Sequence, residues 1–440
     1  MKICVNVSSK AAAEIRDPIH GYVYIEDDEK DIIDNPIFQR LRRIRQLSGA
    51  HITYPGAQHT RFDHSIGAMH LAKLAATRLA QIIDLKSEQI GEIKMAALLH
   101  DSGHGPFSHL FEEVLAERRN ISHEDLTKRV IQETEIKEIL LMHNYKIDII
   151  SDLSIGLSQK RPLFMNELIG GGLSVDTMDY LPRDSYFTGV EYGQVDIHRI
   201  INSFNIVQDH LALDQAALYA FEALMISRYE MFRAVYFHRT VRAAEIMLIR
   251  AISLADEELN FTDVSEITRY LSFTDETTLD ILINLNTKGL RNLKEAQQIA
   301  IDYRDRQLIK CVFEKFVQRK DPFMEKIFGQ KKIREKIREE IADKADVNIS
   351  QVYVDVPTTP SVPFTSSRQA LKSLTLVSDS DGQHHETIDV TELPLMGAIS
   401  GYMDIIRVYT NKNNRDIVQN ATAKILGDDN IKPWWNRVSM

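Results

Sequence analysis

Apolar residues recur at spacings of three and four along most of the chain up to about residue 320, the periodicity of helices with one buried face. In Asp34–Leu47 the set Ile37, Leu41, Ile44 and Leu47 falls on one side, and Pro36 stands in the first turn. Arg40, Arg42, Arg43 and Arg45 fill the remainder and make the segment the local basic exception in an acidic chain, with a solvated face as the plain alternative. Residues 64–84, 91–100, 110–119 and 122–145 read as further helices, and 161–187 as helical with a break at Gly170-Gly171-Gly172. Residues 214–256 read as one long helical stretch, and 262–320 as short helices joined by loops. Pro18 and Gly21 mark Ile15–Tyr22 as non-helical, with Val23–Ile25 as a short strand.

Near residue 320 the pattern changes. A charged amphipathic helix is expected over 325–346, followed by a loop over 357–368 rich in Pro, Thr and Ser. Period-two or β-branched runs at Val352–Val356, Leu374–Val377, Thr387–Val390 and Ile405–Tyr409 predict strands. The expected fold is therefore mainly α: a helical body over residues 1–325 and a smaller α+β C-terminal region over 326–440.

Hydrophobic residues make up 44% of the 440, enough for a substantial core. The net charge of −10 makes general nucleic-acid binding unfavourable, because the phosphate backbone repels an acidic surface. In the charged helix, Glu and Asp interleave Lys and Arg, which describes a solvated face better than a nucleic-acid arm. Two distant cysteines, Cys4 and Cys311, suit a reducing compartment. The first residues are too polar for a signal peptide, and no apolar run reaches the ~18–20 residues of a membrane span, so a cytoplasmic location without membrane contact is expected. Trp434-Trp435 is expected to pack the C-terminus onto the body or a neighbouring subunit.

The candidate chemistry sits where an apolar run turns polar. Ala96-Ala97-Leu98-Leu99 leads straight into His100-Asp101, and Gly103, Gly105 and Pro106 end the helix there. Buried titratable side chains in that position need compensation, and a divalent cation supplies it. A His-Asp dipeptide alone is a weak signal. It gains weight with His64 at the head of an upstream helix and Asp176 opening a downstream one. Two imidazoles and two carboxylates suit Fe, Mn, Zn, Ni or Co better than an all-oxygen site does. His104, His109 and His123, with Glu112 and Glu124, crowd the same segment and can pass protons to a leaving group. Asp179 and Arg183 read as a structural i, i+4 ion pair if the helix runs through Pro182.

Five segments then carry a resemblance: Asp17–Gly21, Phe38–Arg42, Pro55–Ser65, His100–His109 and Asp176–Tyr180. Together they resemble the HD-domain dNTP triphosphohydrolases, in the form without a SAM domain, closely over residues 15–250. The resemblance implies a divalent metal on His64, His100, Asp101 and Asp176, with Mg²⁺ accompanying the nucleotide. It implies catalytic roles for His104, His109, His123 and Glu112, with His109 as the leaving-group acid. It places the substrate on Gln46, Arg61, Tyr180, Asp184, Arg228 and Tyr236. The implied reaction is hydrolysis of a dNTP at the α-phosphorus to a deoxynucleoside and inorganic triphosphate. Regulated members bind GTP or a dNTP between subunits, and Asp34, Gln39 and Arg42 match that effector site, which implies a homotetramer or homodimer.

Three positions depart from the pattern. Thr177 stands where a phosphate-binding lysine is expected, Phe232 where a histidine is expected, and Ala13-Glu14 where an effector-site lysine is expected. Thr177 keeps open an HD phosphohydrolase acting on another nucleotide or phosphate ester. A nucleic-acid-binding or scaffold protein with a vestigial site is the reading from another class, opposed by the intact ligand set. A cyclic-dinucleotide phosphodiesterase is disfavoured, since no Gly-Tyr-Pro segment follows the doublet.

Overall fold

The computed structural model describes residues 11–319, 330–360, 373–378, 384–399 and 402–427. Trp434-Trp435, Cys4 and part of the expected 325–346 helix lie outside the described residues. The chain enters through an antiparallel hairpin, β1 (Ala13–Asp17) and β2 (Gly21–Ile25), paired Ala13 to Ile25. Helices α1 (Asp27–Asp34) and α2 (Pro36–Gln39) follow, then α3 (Arg61–Leu79), α4 (Ser87–Leu99), α5 (His109–Arg119) and α6 (His123–Glu133). Next come α7 (Glu135–Met142), α8 (Ile147–Leu153), α9 (Leu163–Gly170), α10 (Val175–Thr188) and α11 (Ile197–Asn202). After the hairpin β3 (Phe204–Val207) and β4 (His210–Asp214) come α12 (Leu218–Met231), a π-helical turn at Phe232–Tyr236 and α13 (Arg239–Leu259). The body closes with α14 (Ile267–Leu271), α15 (Asp275–Ile283) and α16 (Arg291–Arg304).

The protein is mainly α, and α3 lies at its centre. Phe62, Ile66 and Met69 on one side of α3 join a core shared with α4, α5, α6 and α13. Ala68, Leu71, Ala72, Ala75, Ala76 and Leu79 join a second core with α9, α10 and α12. A helix apolar on both sides has to be buried, and the short alanines let its neighbours approach. On α13, Ala244, Met247, Leu248, Ala251, Ile252 and Ala255 keep the three-and-four spacing and are all buried. Among the described residues no helix is long and apolar enough to cross a membrane.

Four stretches differ from the sequence expectation, one of them 122–145, which is two helices because Thr134 ends α6 and caps α7. The helix over 34–47 is only α2 followed by a tight 3-10 turn, Arg40–Arg43, and the chain is extended at Ile44. The Arg45 N–H donates to the Asp275 carboxylate instead of continuing the helix. Arg40 is buried rather than solvated: it donates to the carbonyls of His104 and Phe273, which offsets its desolvation. The stretch 214–256 breaks at Phe237-His238, because the His238 side chain accepts from Thr240 N and caps a new helix. The stretch 262–320 ends in a ten-residue strand, β5 (Lys310–Arg319), instead of a helix.

Four-stranded sheets tie the C-terminal region to the body. β5 pairs antiparallel with β10 (Tyr402–Thr410), which also carries β6 (Val352–Asp355) and β7 (Thr358–Pro360). β8 (Ser373–Val377) runs parallel to β4 and pairs with β9 (His385–Asp389). Both sheets thus join strands from either side of residue 325. The helices Lys331–Ala345 and Arg415–Leu426 pack together through Ile341, Ala342, Val418 and Ala421.

Candidate metal centre and active site

Three helix ends converge on one point. α4 delivers a run of buried apolar residues and ends at Leu99, so His100 is its C-cap and Asp101 the first residue beyond. α3 starts at a capping box in which Asp63 accepts from Thr60 N, leaving His64 in the first turn. α10 starts at Ser174, whose hydroxyl accepts from Thr177 N, leaving Asp176 in the first turn. The His64 Nε2 lies 3.2 Å from His100 Nε2, 3.1 Å from Asp176 Oδ1 and 3.6 Å from Asp101 Oδ2. His100 Nε2 lies 3.4 Å from Asp101 Oδ1 and 3.7 Å from Asp176 Oδ1.

The residues fit a divalent cation, and the far side of each imidazole shows why. His64 Nδ1 meets Asp179 Oδ2 at 2.8 Å, and His100 Nδ1 meets the Ala97 carbonyl at 2.7 Å. With Nδ1 as the donor in both, each Nε2 turns a lone pair to the shared centre, the tautomer a metal ligand needs. Burial opposes charging His64, but Asp176 and Asp179 outweigh it and hold its pKa up at about 10, so without a cation Nε2 carries a proton whose place a cation at the centre would take. Burial opposes ionising Asp101 too, yet Arg61, His100 and His104 keep it well below the usual carboxylate range. Asp176 is likewise lowered, by His100 and His64 against its burial.

Asp179 is more than the ion pair expected with Arg183. It is fully buried and accepts from His20 Nε2 at 2.6 Å, His64 Nδ1 at 2.8 Å and Arg183 Nε and Nη2 at 2.8 and 2.9 Å. Arg183 reaches on to Asp17 Oδ2 at 2.8 Å, so the hairpin, α3 and α10 share one buried network. Gly67 makes room for it: a Cβ there would overlap Asp179 Oδ1. Gly103 does the same behind Asp101, where a Cβ would overlap the backbone of His123 and Thr127.

Beside the metal centre, Arg61 Nη1 donates to Asp101 Oδ2 at 2.6 Å and Arg61 Nε to Ser108 Oγ at 2.9 Å. His104 is buried and stacks on His123 with centroids 4.0 Å apart. Neither of its ring nitrogens has a hydrogen-bond partner among the described residues, although Nε2 lies 3.3 Å from Asp101 Oδ1. Burial, then Arg61 and His123, push the His104 pKa well down, so it is neutral. Glu112 is shared by His109 Nδ1 at 3.1 Å and His123 Nδ1 at 2.8 Å. These two imidazoles overcome burial and hold Glu112 ionised. The turn presenting His109 is strained: Phe107 and Ser108 have φ of 59° and 54°. Positive φ in a bulky residue costs on the order of 1–3 kcal/mol and marks a conformation the surroundings impose.

A cavity of about 550 Å³ opens over this group. Its walls include Gln46, Arg61, His104, His109, His123 and Tyr180 together with His100, Asp101 and Asp176. Glu124, noted only as part of the crowded segment, also lines it. Asp184, Arg228 and Tyr236 are not among the residues that line it. Tyr236 donates to Asp184 Oδ2 at 2.6 Å, and its ring meets Tyr180 edge-on at 6.5 Å. Asp184 also accepts from His59 Nε2 at 2.7 Å, and His59 is a residue that the sequence reading missed. Arg228 lies over the Phe232 ring at 4.5 Å. Thr177 is buried against Ser174 and brings no group to the cavity wall. Of the residues matched to an effector, Arg42 Nε donates to Gln39 Oε1 at 2.9 Å and stacks on Phe62, while Asp34 pairs with Lys30.

A helical body with two histidines and two aspartates around one point, beside a cavity whose wall carries Arg61 and three further histidines, defines a class: the metal-dependent phosphohydrolases. The model of the HD domain matches residues 61–183, and that of the HD associated region matches 195–432. The chain belongs to the HD-domain hydrolase family. It is 35% identical over 280 residues to the uncharacterized protein YwfO of Bacillus subtilis, covering 62% of this chain and 63% of that one. It is 30% identical over 322 residues to the deoxynucleoside triphosphate triphosphohydrolase SAMHD1 homolog of Dictyostelium discoideum, covering 70% and 61%. It resembles the crystal structure of a hypothetical protein from Aquifex aeolicus with a TM-score of 0.74 and 28% identity, over 93% of this chain and 99% of that one. The chain spans between half and just under two thirds of the length of the first curated relatives it matches.

Proposed function

We propose that the protein hydrolyses deoxynucleoside triphosphates to deoxynucleosides and inorganic triphosphate. The observation that carries this reading is one cavity lined by His100, Asp101 and Asp176, by Arg61 and by His104, His109 and His123, with Gln46 and Tyr180 in the same wall. The relatives named as dNTP triphosphohydrolases support the choice of substrate.

In this reading His64, His100, Asp101 and Asp176 hold a divalent ion. When bound, it supplies Lewis-acid polarisation and an acidified water. Arg61 exchanges part of its pairing with Asp101 for phosphate oxygens, which its planar fork matches. His104, neutral and with no hydrogen-bond partner for its ring nitrogens among the described residues beyond the nearby Asp101 carboxylate, offers a donor to a phosphate oxygen. A buried polar group of that kind favours a ligand that completes its hydrogen bonds. His109 is oriented through Nδ1 by Glu112, leaving its other nitrogen to protonate the departing 5′-oxygen. His123 steadies Glu112 from the far side. Gln46 and Tyr180 bound the sugar, and the Tyr236–Asp184–His59 chain supports that wall.

A GTP or dNTP effector at Asp34, Gln39 and Arg42, and a homotetramer or homodimer that holds it, form the regulatory part of the proposal. A cytoplasmic location fits the absence of any membrane-length apolar helix among the described residues. Thr177, which brings no cation to the cavity wall where a lysine is expected, favours as second reading another nucleotide or phosphate ester.

The test is product analysis. Purified protein is incubated with each dNTP and Mn²⁺ or Mg²⁺, with and without GTP, and products are separated by ion-pair chromatography. Deoxynucleoside plus triphosphate, lost in Asp101→Ala, supports the proposal. No cleavage of any dNTP shifts the assignment to the second reading, and equal rates with and without GTP remove the effector.

A further inference from the structure

We infer that Asp275, at the start of α15, is a positioning residue that clamps together the two loops carrying His109 and Gln46. The inference rests on the roles proposed above for those residues and for Arg61. Asp275 is nine-tenths or more buried, and each of its oxygens takes a backbone donor from a different loop. Oδ1 accepts from Phe107 N at 2.6 Å, and Oδ2 from Arg45 N at 3.0 Å. The Arg45 guanidinium stands 3.5 Å from the same carboxylate.

The two loops are tied again on either side of this bridge. Ser48 Oγ donates to the Phe107 carbonyl at 2.5 Å, and Ser108 Oγ donates to the Arg45 carbonyl at 2.8 Å. Ser108 Oγ in turn accepts from Arg61 Nε, the arginine that pairs with Asp101. The clamp therefore acts on three groups at once. It holds Phe107 and Ser108 at positive φ immediately before His109, it fixes the backbone beside Gln46, and it sets the oxygen that aims Arg61. Nothing in the local sequence of residues 100–109 imposes this turn, since Phe and Ser disfavour positive φ. An acceptor from a distant helix has to hold it, and a carboxylate can hold two donors at the angle required. Burial pushes the Asp275 carboxyl up to about 6 against the pull of the Phe107 and Arg45 N–H groups, so the site keeps this acid despite its desolvation.

The test uses full-length, Mn²⁺-loaded protein and Asp275→Asn, whose amide keeps one acceptor and opposes the second donor. Hydrogen–deuterium exchange followed by mass spectrometry is expected to show segments 42–48 and 103–109 exchanging roughly 5- to 10-fold faster, as for one lost hydrogen bond. Exchange in α3 and the Mn²⁺ content should stay unchanged. With a dNTP that the wild type cleaves, kcat is expected to fall about 100-fold, with a smaller change in KM. If Asp275→Asn does not fold, Asp275→Glu, which keeps the charge but displaces it, takes its place. Unchanged exchange in either segment, a uniform rise that includes α3, or an unchanged kcat overturns the inference. A wild type inert toward every dNTP would refute the proposed substrate instead, and the exchange data alone would then decide the clamp.

Discussion

Replacing Asp179 by asparagine is expected to loosen the metal without removing a ligand. The residue touches no point of the cavity wall, but its Oδ2 takes the His64 Nδ1 proton at 2.8 Å and so fixes which nitrogen faces the metal centre. The partners of ligating histidines are worth roughly 10- to 100-fold in metal affinity, or about 1.4–2.7 kcal/mol. The same carboxylate neutralises Arg183, which is fully buried and retains Asp17 as its other partner. Removing one partner of a buried pair costs about 3–5 kcal/mol, and the remaining Asp17 and the asparagine oxygen place the expected loss near the lower end, about 3 kcal/mol. Mn²⁺ affinity is measured by competition with a chromophoric chelator well below the melting temperature, and stability by thermal denaturation of the metal-free protein. A variant that folds, melts earlier and binds Mn²⁺ at least ~10-fold more weakly fits the account. A variant that binds Mn²⁺ within about twofold of wild type refutes the tautomer argument, because the ligand would then not need its carboxylate partner.

Other outcomes follow from the same geometry. His109→Ala is expected to lower kcat by about 10²- to 10⁴-fold with unchanged metal content, and a wild-type kcat would remove His109 from the reaction. Gly103→Ala forces α6 away from Asp101, so a loss of about 1–3 kcal/mol is expected in thermal melts, and an unchanged Tm would contradict the packing. Glu245 shares Arg242 with the buried Asp355 and with Glu113, whose side chain is half exposed. Burial pushes Glu245 up to about 7, against Arg242 and with help from Glu113. Its folded value thus lies above its unfolded one, so protonation favours the fold. That contribution, about 3 kcal/mol at most, is full below about pH 4.5 and is lost as pH rises through about 7. Melting curves from pH 5 to 8 should fall less steeply for Glu245→Gln than for wild type, and identical slopes would contradict the assignment.

The candidate metal-binding group was legible in the sequence because its signal is local: an apolar run ending in polar groups, and helix heads bearing His64 and Asp176. Most helices and the C-terminal strands were legible for the same reason, since periodicity is a property of neighbouring residues. What escaped depends on contacts far apart in the chain. Arg40 reads as solvated until the carbonyls of His104 and Phe273 are brought to it. Asp179 reads as an i, i+4 partner until His64 and His20 arrive from other elements. Asp275 and His59 carry no local mark at all, because their partners are backbone N–H groups or a carboxylate from other segments. β5 has apolar residues at Val312, Phe313, Phe316 and Val317, which suit either period, and its pairing with β10 decides the matter.

The most direct measurement is the fate of oxygen when a dNTP is cleaved in ¹⁸O-labelled water with Mn²⁺ present. Attack at the α-phosphorus with loss of the 5′-oxygen predicts one ¹⁸O in the inorganic triphosphate and none in the deoxynucleoside. Label in the deoxynucleoside, or pyrophosphate or monophosphate in place of triphosphate, would contradict the reaction assigned to this site.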